Sequence, residues 1–311
     1  IYICLMEKFD IHILGCGSAL PTTKHLPTSQ VVDVRDKLFM IDCAEGSQLE
    51  FRRQKLKFTR LNHIFISHLH GDHCFGLMGL ISTFGMLGRT ADLHIYSPGE
   101  DLQRILQPQI DYFCGKMSYA VVFHAVDHKQ PQVVYEDRSV TVSTLPLKHR
   151  VACCGYLFRE RPTLPHIRRD MIDFLGIPNY AIKGIKEGAD WTDADGRVWP
   201  NAQLVQPHEG CARSYAYCSD TIFRPALAEL VGGVDLLFHE ATFATSESAR
   251  AKETFHSTAA QAAMIARDAE VGQLLIGHFS ARYDDEQVLL DEARAVFERT
   301  NLAREGLKIS L

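Results

Sequence analysis

No two cysteines in this sequence have the C-x-x-C spacing of a redox motif or a zinc ribbon, and the nine present are an odd number scattered along the chain. Several, such as Cys43 and Cys218, lie in apolar strand-like runs, and Cys153 and Cys154 are adjacent. This distribution predicts reduced, buried thiols and a cytoplasmic protein, and excludes a disulfide scaffold. No apolar run reaches the roughly 18 residues that a membrane span needs. Residues 1–6 are apolar but too short for a signal peptide and have no basic flank, so Met6 is the expected natural start. Excess positive charge is also missing. The 33 Lys and Arg against 38 Asp and Glu leave a formal net charge of -5, which argues against a general nucleic-acid coat protein but not against a local basic patch. Repeats and low-complexity segments are absent, and 46% hydrophobic with 23% charged residues excludes disordered, collagen-like and coiled-coil classes. A chain of 311 residues buries about 75% of its unfolded surface, so it needs no disulfide or metal merely to fold.

Apolar runs and turn residues predict strands at 9–14, 30–34, 37–42, 63–67 and 93–96. Helices are expected at 45–55, with Ser47 and Glu50 at capping spacing, and at 75–86 and 100–107. Three strand-like runs occupy 119–144. The stretch 159–207 differs: it is rich in proline, opens with arginines and contains the turn Asp193-Ala-Asp-Gly196. It reads as an insertion with short helices. Beyond it, strands at 213–218, 234–239 and 273–277 alternate with helices at 224–230, 257–269 and 286–298. Two sheets between helical layers, an α/β architecture, accommodate this order.

What the chain has in abundance is histidine, 15 in all. His68-x-His70-x-Asp72-His73 follows a strand directly, so His68 and His70 can turn to one ion while Asp72 and His73 face a second. Imidazole and carboxylate at about 2.0–2.2 Å suit zinc with a position left open for water. Three further candidates, His149, Asp220 and His278, each follow a strand, and strand-end ligands converge on one rim in such folds. Five histidines and two aspartates suffice for two ions sharing a bridging carboxylate.

The hexad resembles the metallo-β-lactamase superfamily motif. Together with Ser219-Asp-Thr221, His239-Glu-Ala-Thr-Phe243, His256-Ser-Thr258 and His278-Phe-Ser-Ala-Arg-Tyr283, it resembles one branch, ribonuclease Z, the short form of the tRNA 3′-processing endonuclease, along nearly the whole chain. The resemblance implies a single αββα metallo-β-lactamase sandwich over 1–311 with a flexible tRNA-binding arm inserted at 159–207. It implies two Zn2+ per subunit, with Mn or Fe as alternative occupants of such N/O sites. His68, His70 and His149 would hold one ion, Asp72, His73 and His278 the other, and Asp220 would bridge them. Asp72 would also accept the proton of the attacking, metal-activated water, and Glu240 with His256 would form a carboxylate–histidine pair that protonates the leaving 3′ oxygen. The products would be a tRNA ending in 3′-OH and a trailer beginning with 5′-phosphate. His239 is read equally as a buried strand-end residue.

On the substrate side, Arg159, Arg161, Arg168 and Arg169 open the arm and are the candidate phosphate contacts, joined by Lys24. Five cations also crowd residues 52–60. Two departures from the family pattern stand out. The arm tip has Leu175-Gly-Ile-Pro-Asn-Tyr180 in place of a Gly-Pro element, and 21–26 has Thr23, His25 and Leu26 where relatives carry Lys, Arg and Asn. That second loop is linked in the family to choosing the cut relative to CCA. The resemblance further implies a homodimer acting on precursor tRNA in the cytoplasm, without membrane or DNA partners. The main rival is a small-molecule phosphodiesterase or arylsulfatase-like hydrolase on the same fold; a non-catalytic scaffold is disfavoured because every candidate ligand is present.

Overall fold

The computed structural model describes residues 8–162, 164–206 and 212–311; the expected start at Met6 and the expected arm end at Pro207 lie outside the described residues. The apolar runs form sixteen strands among the described residues. The first six are β1 (Phe9–Gly15), β2 (Ser29–Val34), β3 (Lys37–Ile41), β4 (Leu61–Phe65), β5 (Leu93–Pro98) and β6 (Val121–Val126). Next come β7 (Val133–Glu136), β8 (Val140–Pro146), β9 (Cys154–Glu160), β10 (Trp191–Thr192) and β11 (Val198–Trp199). The last five are β12 (Ser214–Cys218), β13 (Leu236–Glu240), β14 (Gln273–Gly277), β15 (Thr300–Leu302) and β16 (Lys308–Ser310).

Two seven-stranded sheets result, ordered β16-β1-β2-β3-β4-β5-β6 and β15-β14-β13-β12-β9-β8-β7. Their inner faces share one core, in which the Phe39 ring meets Phe158 at 5.9 Å and Phe65 meets Phe158 and Tyr156 at 5.6 and 5.2 Å. Each such buried aromatic contributes about 1.5–3 kcal/mol. Outside the first sheet, helices Leu77–Met86 and Asp101–Phe113 bury Leu80, Ile81, Phe84, Leu102, Leu106 and Ile110. Outside the second, Ala259–Asp268 and Gln287–Arg294 bury Ala262, Ala263, Ala266, Leu289 and Ala293. This is the expected αββα sandwich.

Two local expectations are corrected. Ser47 does not cap its helix: Gly46, at φ 83°, takes the cap and Ser47 is the first helical residue. A glycine there adopts the left-handed conformation without strain, and no side chain caps the helix. The helix expected to end at Gln107, before Pro108, runs on to Phe113. Leu102, Leu106 and Ile110, four residues apart, are all buried, and that packing outweighs the hydrogen bond lost at Pro108.

Residues 161–212 cluster as a second compact unit. Within it Ile177, Ile185 and Leu204 are buried, with Trp191 and Trp199 packed against them. Trp199 Nε1 donates to Asp193 at 2.9 Å, and the Arg197 guanidinium lies 4.2 Å over the Trp199 ring.

Within the sandwich, β3–β6 run parallel, as do β12–β15. Parallel strands end on the same side, so β3, β4, β12, β13 and β14 deliver their following residues to common rims. In open α/β sheets such carboxyl ends are where ligands bind.

Candidate metal centre

The loop bearing the hexad is held down by backbone. Cys43 N donates to the His73 carbonyl and Gly76 N to the Cys43 carbonyl, both at 2.8 Å. Gly76 is required for this approach, because a Cβ there would lie 2.1 Å from the Ala44 oxygen. Three residues at strand ends, Asp42, Asp220 and His278, have φ of 55°, 62° and 59°. Left-handed backbone at non-glycine residues costs of order 1–3 kcal/mol each and concentrates at functional sites.

His68 Nε2 lies 3.0 Å from His70 Nδ1, and His149 Nε2 lies 3.3 Å from the same atom. On the other side, Asp72 Oδ2 is 3.4 Å from His73 Nε2 and 3.9 Å from His278 Nε2. Asp220 stands between the two groups. Its Oδ1 is 3.2 Å from both His73 Nε2 and His278 Nε2, whereas its Oδ2 is 3.7 Å from His68 Nε2 and 3.8 Å from His149 Nε2. Ligands about 2.0–2.1 Å from a shared ion at tetrahedral angles stand about 3.4 Å apart, and these separations bracket that value. The Nε2 atoms of His73 and His278 are buried with no hydrogen-bond partner. A buried polar atom left unpaired costs about 1–3 kcal/mol, and coordination removes that cost. The donor set therefore fits two divalent ions.

The ring orientations fit as well. His73 Nδ1 donates to Asp42 Oδ2 at 2.7 Å and His278 Nδ1 to Thr242 Oγ1 at 2.9 Å. His149 Nδ1 donates to the Phe255 carbonyl at 3.1 Å and His68 Nδ1 to Ser67 Oγ at 3.0 Å. With Nδ1 occupied, each Nε2 presents its lone pair inward. Ala19 N donates to Asp72 Oδ2 at 2.9 Å. Burial pushes the imidazoles of His68, His70 and His149 down, toward the neutral form that ligates. Burial works to raise Asp72 and Asp220, but the neighbouring His278 and His73 outweigh it and hold both carboxyls below the usual range.

Sequence reasoning missed Asp42. It is fully buried and accepts from Ser67 N at 2.7 Å, Ser67 Oγ at 2.9 Å and Tyr217 OH at 2.7 Å besides His73. Its one signal was a carboxylate at the end of an apolar strand. Asp42→Asn would face four donors with an amide that must present N–H to at least one of them, so metal affinity is expected to fall about 10–100-fold, measured by competition with a chelating dye.

Glu240, also fully buried, accepts from Thr221 N at 2.7 Å, from Thr242 Oγ1 at 2.5 Å and from His256 Nδ1 at 2.9 Å. Burial lowers the His256 imidazole, but the Glu240 carboxylate overrides it and raises it to about 9. His239 is fully buried and donates from Nδ1 to the Glu240 carbonyl at 2.8 Å. The candidate RNA contacts have varied surroundings. Lys24 Nζ bonds the Asp284 carbonyl at 2.8 Å and Glu286 at 2.5 Å. Arg168 pairs with Asp170 and Arg169 with Asp173, while Arg159, on β9, and Arg161 are exposed. In the 52–60 cluster, Arg53 pairs with Glu50 and Arg60 with Asp36.

A family model described as Anti-Pycsar protein Apyc1 matches residues 9–161. Over its full length the chain is similar to curated proteins named Ribonuclease Z. It is 63% identical to that of Bacteroides fragilis (strain YCH46), covering 98% of this chain and 100% of that protein. With the protein of Phocaeicola vulgatus the identity is 64%, covering 98% of each. Among solved structures, human tRNase Z, short form, aligns with a TM-score of 0.70 at 23% identity, covering 97% of this chain and 98% of that one. The metallo-β-lactamase fold protein YhfI from Bacillus subtilis aligns with a TM-score of 0.68 at 19% identity, covering 98% and 100%. These two structural likenesses bear on the fold, the metallo-β-lactamase fold.

Proposed function

The chain belongs to the ribonuclease Z family of tRNA 3′-processing endoribonucleases, and we propose that it removes the 3′ trailer from tRNA precursors with two zinc ions held by His68, His70, Asp72, His73, His149, Asp220 and His278. The observation that carries the dinuclear reading is Asp220, whose two oxygens face opposite histidine groups. Zinc suits the imidazole-rich donor set, with Mn or Fe as alternatives. Bound there, the ions would supply Lewis acidity toward the phosphodiester and lower the pKa of an adjacent water.

The protein's own groups do the rest. Asp72 Oδ2, fixed by Ala19 N, accepts the proton of the attacking water. Glu240 locks the His256 ring through Nδ1, which leaves Nε2 to protonate the departing 3′ oxygen. The tRNA then ends in 3′-OH and the trailer in 5′-phosphate. The insertion expected at 159–207 corresponds to the compact unit 161–212, which serves as the tRNA-binding arm through Arg161, Arg168 and Arg169, with Arg159 just before it on β9. Its Asp170 and Asp173 partners would exchange for phosphates. Lys24, paired with Glu286, joins them from the loop after β1. The working form is a cytoplasmic homodimer; no described helix is long and apolar enough to cross a membrane.

The test is cleavage of a 3′-extended tRNA precursor with and without chelator, the new ends mapped to the nucleotide. A chelator-sensitive cut near the discriminator base or CCA leaving 3′-OH is the expected result. Hydrolysis of a small phosphodiester without any cut of the precursor would transfer the assignment to the small-molecule rival. A second prediction isolates the arm. Glu160 N donates to the Arg213 carbonyl at 2.8 Å, so a short turn can replace 161–212. That variant is expected to lose at least about tenfold more tRNA cleavage than small-phosphodiester hydrolysis, since phosphate contacts act only on the larger substrate. Equal losses on the two substrates would refute the role of the arm.

A further inference from the structure

Cys16, His25 and Glu305 come from three separate stretches and meet outside the ligand set described above. Cys16 Sγ lies 3.3 Å from His25 Nδ1 and 3.6 Å from each Glu305 carboxylate oxygen, and His25 Nδ1 lies 3.0 Å from Glu305 Oε2. All three donor atoms lie within 4.8 Å of one another. For an ion with Zn–S of about 2.3 Å and Zn–N or Zn–O of about 2.0–2.1 Å, tetrahedral geometry places sulfur about 3.6 Å from the other donors and those about 3.4 Å from each other. The observed spacings match within a few tenths of an ångström.

The surroundings are arranged as around a ligating histidine. His25 Nε2 contacts Glu286 Oε1 at 3.2 Å, and Glu286 is itself held by Lys24 Nζ at 2.5 Å. The hydrogen bond to Glu305, helped by Glu286, raises the His25 imidazole; once an ion displaces the Nδ1 proton, the Nε2–H donated to Glu286 leaves the Nδ1 lone pair facing Cys16 and Glu305. This is the carboxylate–histidine pattern that orients metal-bound imidazoles, and it repeats what Asp42 does for His73. Leu26 N donates to Glu305 Oε1 at 3.0 Å, so Oε2 remains for an ion. Cys16 is fully buried, which closes it to a bulky electrophile and removes a nucleophilic or redox reading. Burial and Glu305 keep the thiol protonated; a divalent cation inverts that balance.

We propose that Cys16, His25 and Glu305 form a further cation site, separate from the dinuclear centre, for a soft divalent ion of the zinc class. The ion clips the loop after β1 to the segment between β15 and β16. On binding, Cys16 gives up its thiol proton and His25 any proton on Nδ1, both to solvent. A cavity of about 190 Å³ shares His25 and Glu286 with this cluster. The thiolate selects zinc over magnesium or calcium. The same loop carries Ala19, whose N–H fixes Asp72, so an ion here steadies one wall of the catalytic cleft.

Cobalt separates this site from the other. The ligands proposed for the dinuclear centre are nitrogen and oxygen only, so thiolate-to-cobalt charge-transfer absorption in the near ultraviolet reports on Cys16. The full chain loaded with Co2+ is expected to show that absorption. Cys16→Ser should abolish it and bind one cobalt fewer per chain, while the visible d–d bands of the remaining ions persist. Glu305→Gln, which keeps the side-chain shape and serves if Cys16→Ser does not fold, should weaken the cobalt titration of that band at least about tenfold. A cobalt-replete wild-type protein without the band, or a band that survives Cys16→Ser, overturns the proposal. Because the readout is optical, a chain that cleaves tRNA without the band refutes this site alone, and a chain with the band but no cleavage refutes the function alone.

Discussion

Asp220→Ala is expected to lower kcat for precursor cleavage about a thousandfold and to strip both metals in one substitution. Removing a ligand that serves one ion leaves the neighbouring group intact. Asp220 differs because Oδ1 faces His73 and His278 while Oδ2 faces His68 and His149. Its loss opens both groups and leaves five histidines facing each other without a negative charge between two cations. A catalytic contribution of about 4 kcal/mol from positioned metal chemistry corresponds to the thousandfold fall. Metal analysis of the dialysed variant reads the structural half of the prediction: both ions should be depleted together. Asp220→Asn is the control for folding, since asparagine tolerates the left-handed backbone that Asp220 adopts at φ 62°. The amide still offers one oxygen, so this variant should keep more metal than the alanine variant. A dialysed alanine variant that retains two ions would refute the bridging assignment.

The candidate donors that the structure brings together were legible because each lies within a local pattern: the hexad is contiguous, and His278 directly follows β14. What supports them was not. Asp42 looks like any polar residue leaving a strand, and its role depends on Ser67 and Tyr217, the latter 175 residues away. The Thr242 link between Glu240 and His278 depends on two different strand ends meeting. The layered fold could be read from the alternation of strands and helices, but not that Lys308–Ser310 returns to pair beside β1. Nothing local distinguishes that short polar strand from a loop. Pro108 misled in the opposite sense, because tertiary burial of its helix overrode a sound local rule. Cys16 and Glu305 were unremarkable in the sequence, and His25 stood out only as a departure from the family's loop pattern; the separation of 289 residues between Cys16 and Glu305 hides their meeting.

His256→Ala separates catalysis from metal binding, and is expected to slow cleavage about 10²–10⁴-fold, the range for a lost general acid, with metal content unchanged. The geometry leaves a competing reading to defeat, since His149, Asp220 and His256 also group as possible metal donors. Two distances decide between them. His256 Nδ1 is 2.9 Å from Glu240 and 4.0 Å from Asp220 Oδ2, so its inward nitrogen is already committed to a carboxylate that takes no part in either ligand group. Glu240 in turn is fully committed, accepting from Thr221, Thr242 and Ser257 as well, which fixes the imidazole in one orientation. If His256 protonates the leaving oxygen, its loss should fall on kcat and leave KM for the precursor nearly unchanged, because the interaction forms only as the bond breaks. Loss of an ion in the His256→Ala protein would make it a ligand and return the acid role to another group. Glu240→Gln provides the complementary measurement: the ring loses its anionic partner but keeps Nε2, so kcat should fall by less than in His256→Ala, again with both ions retained.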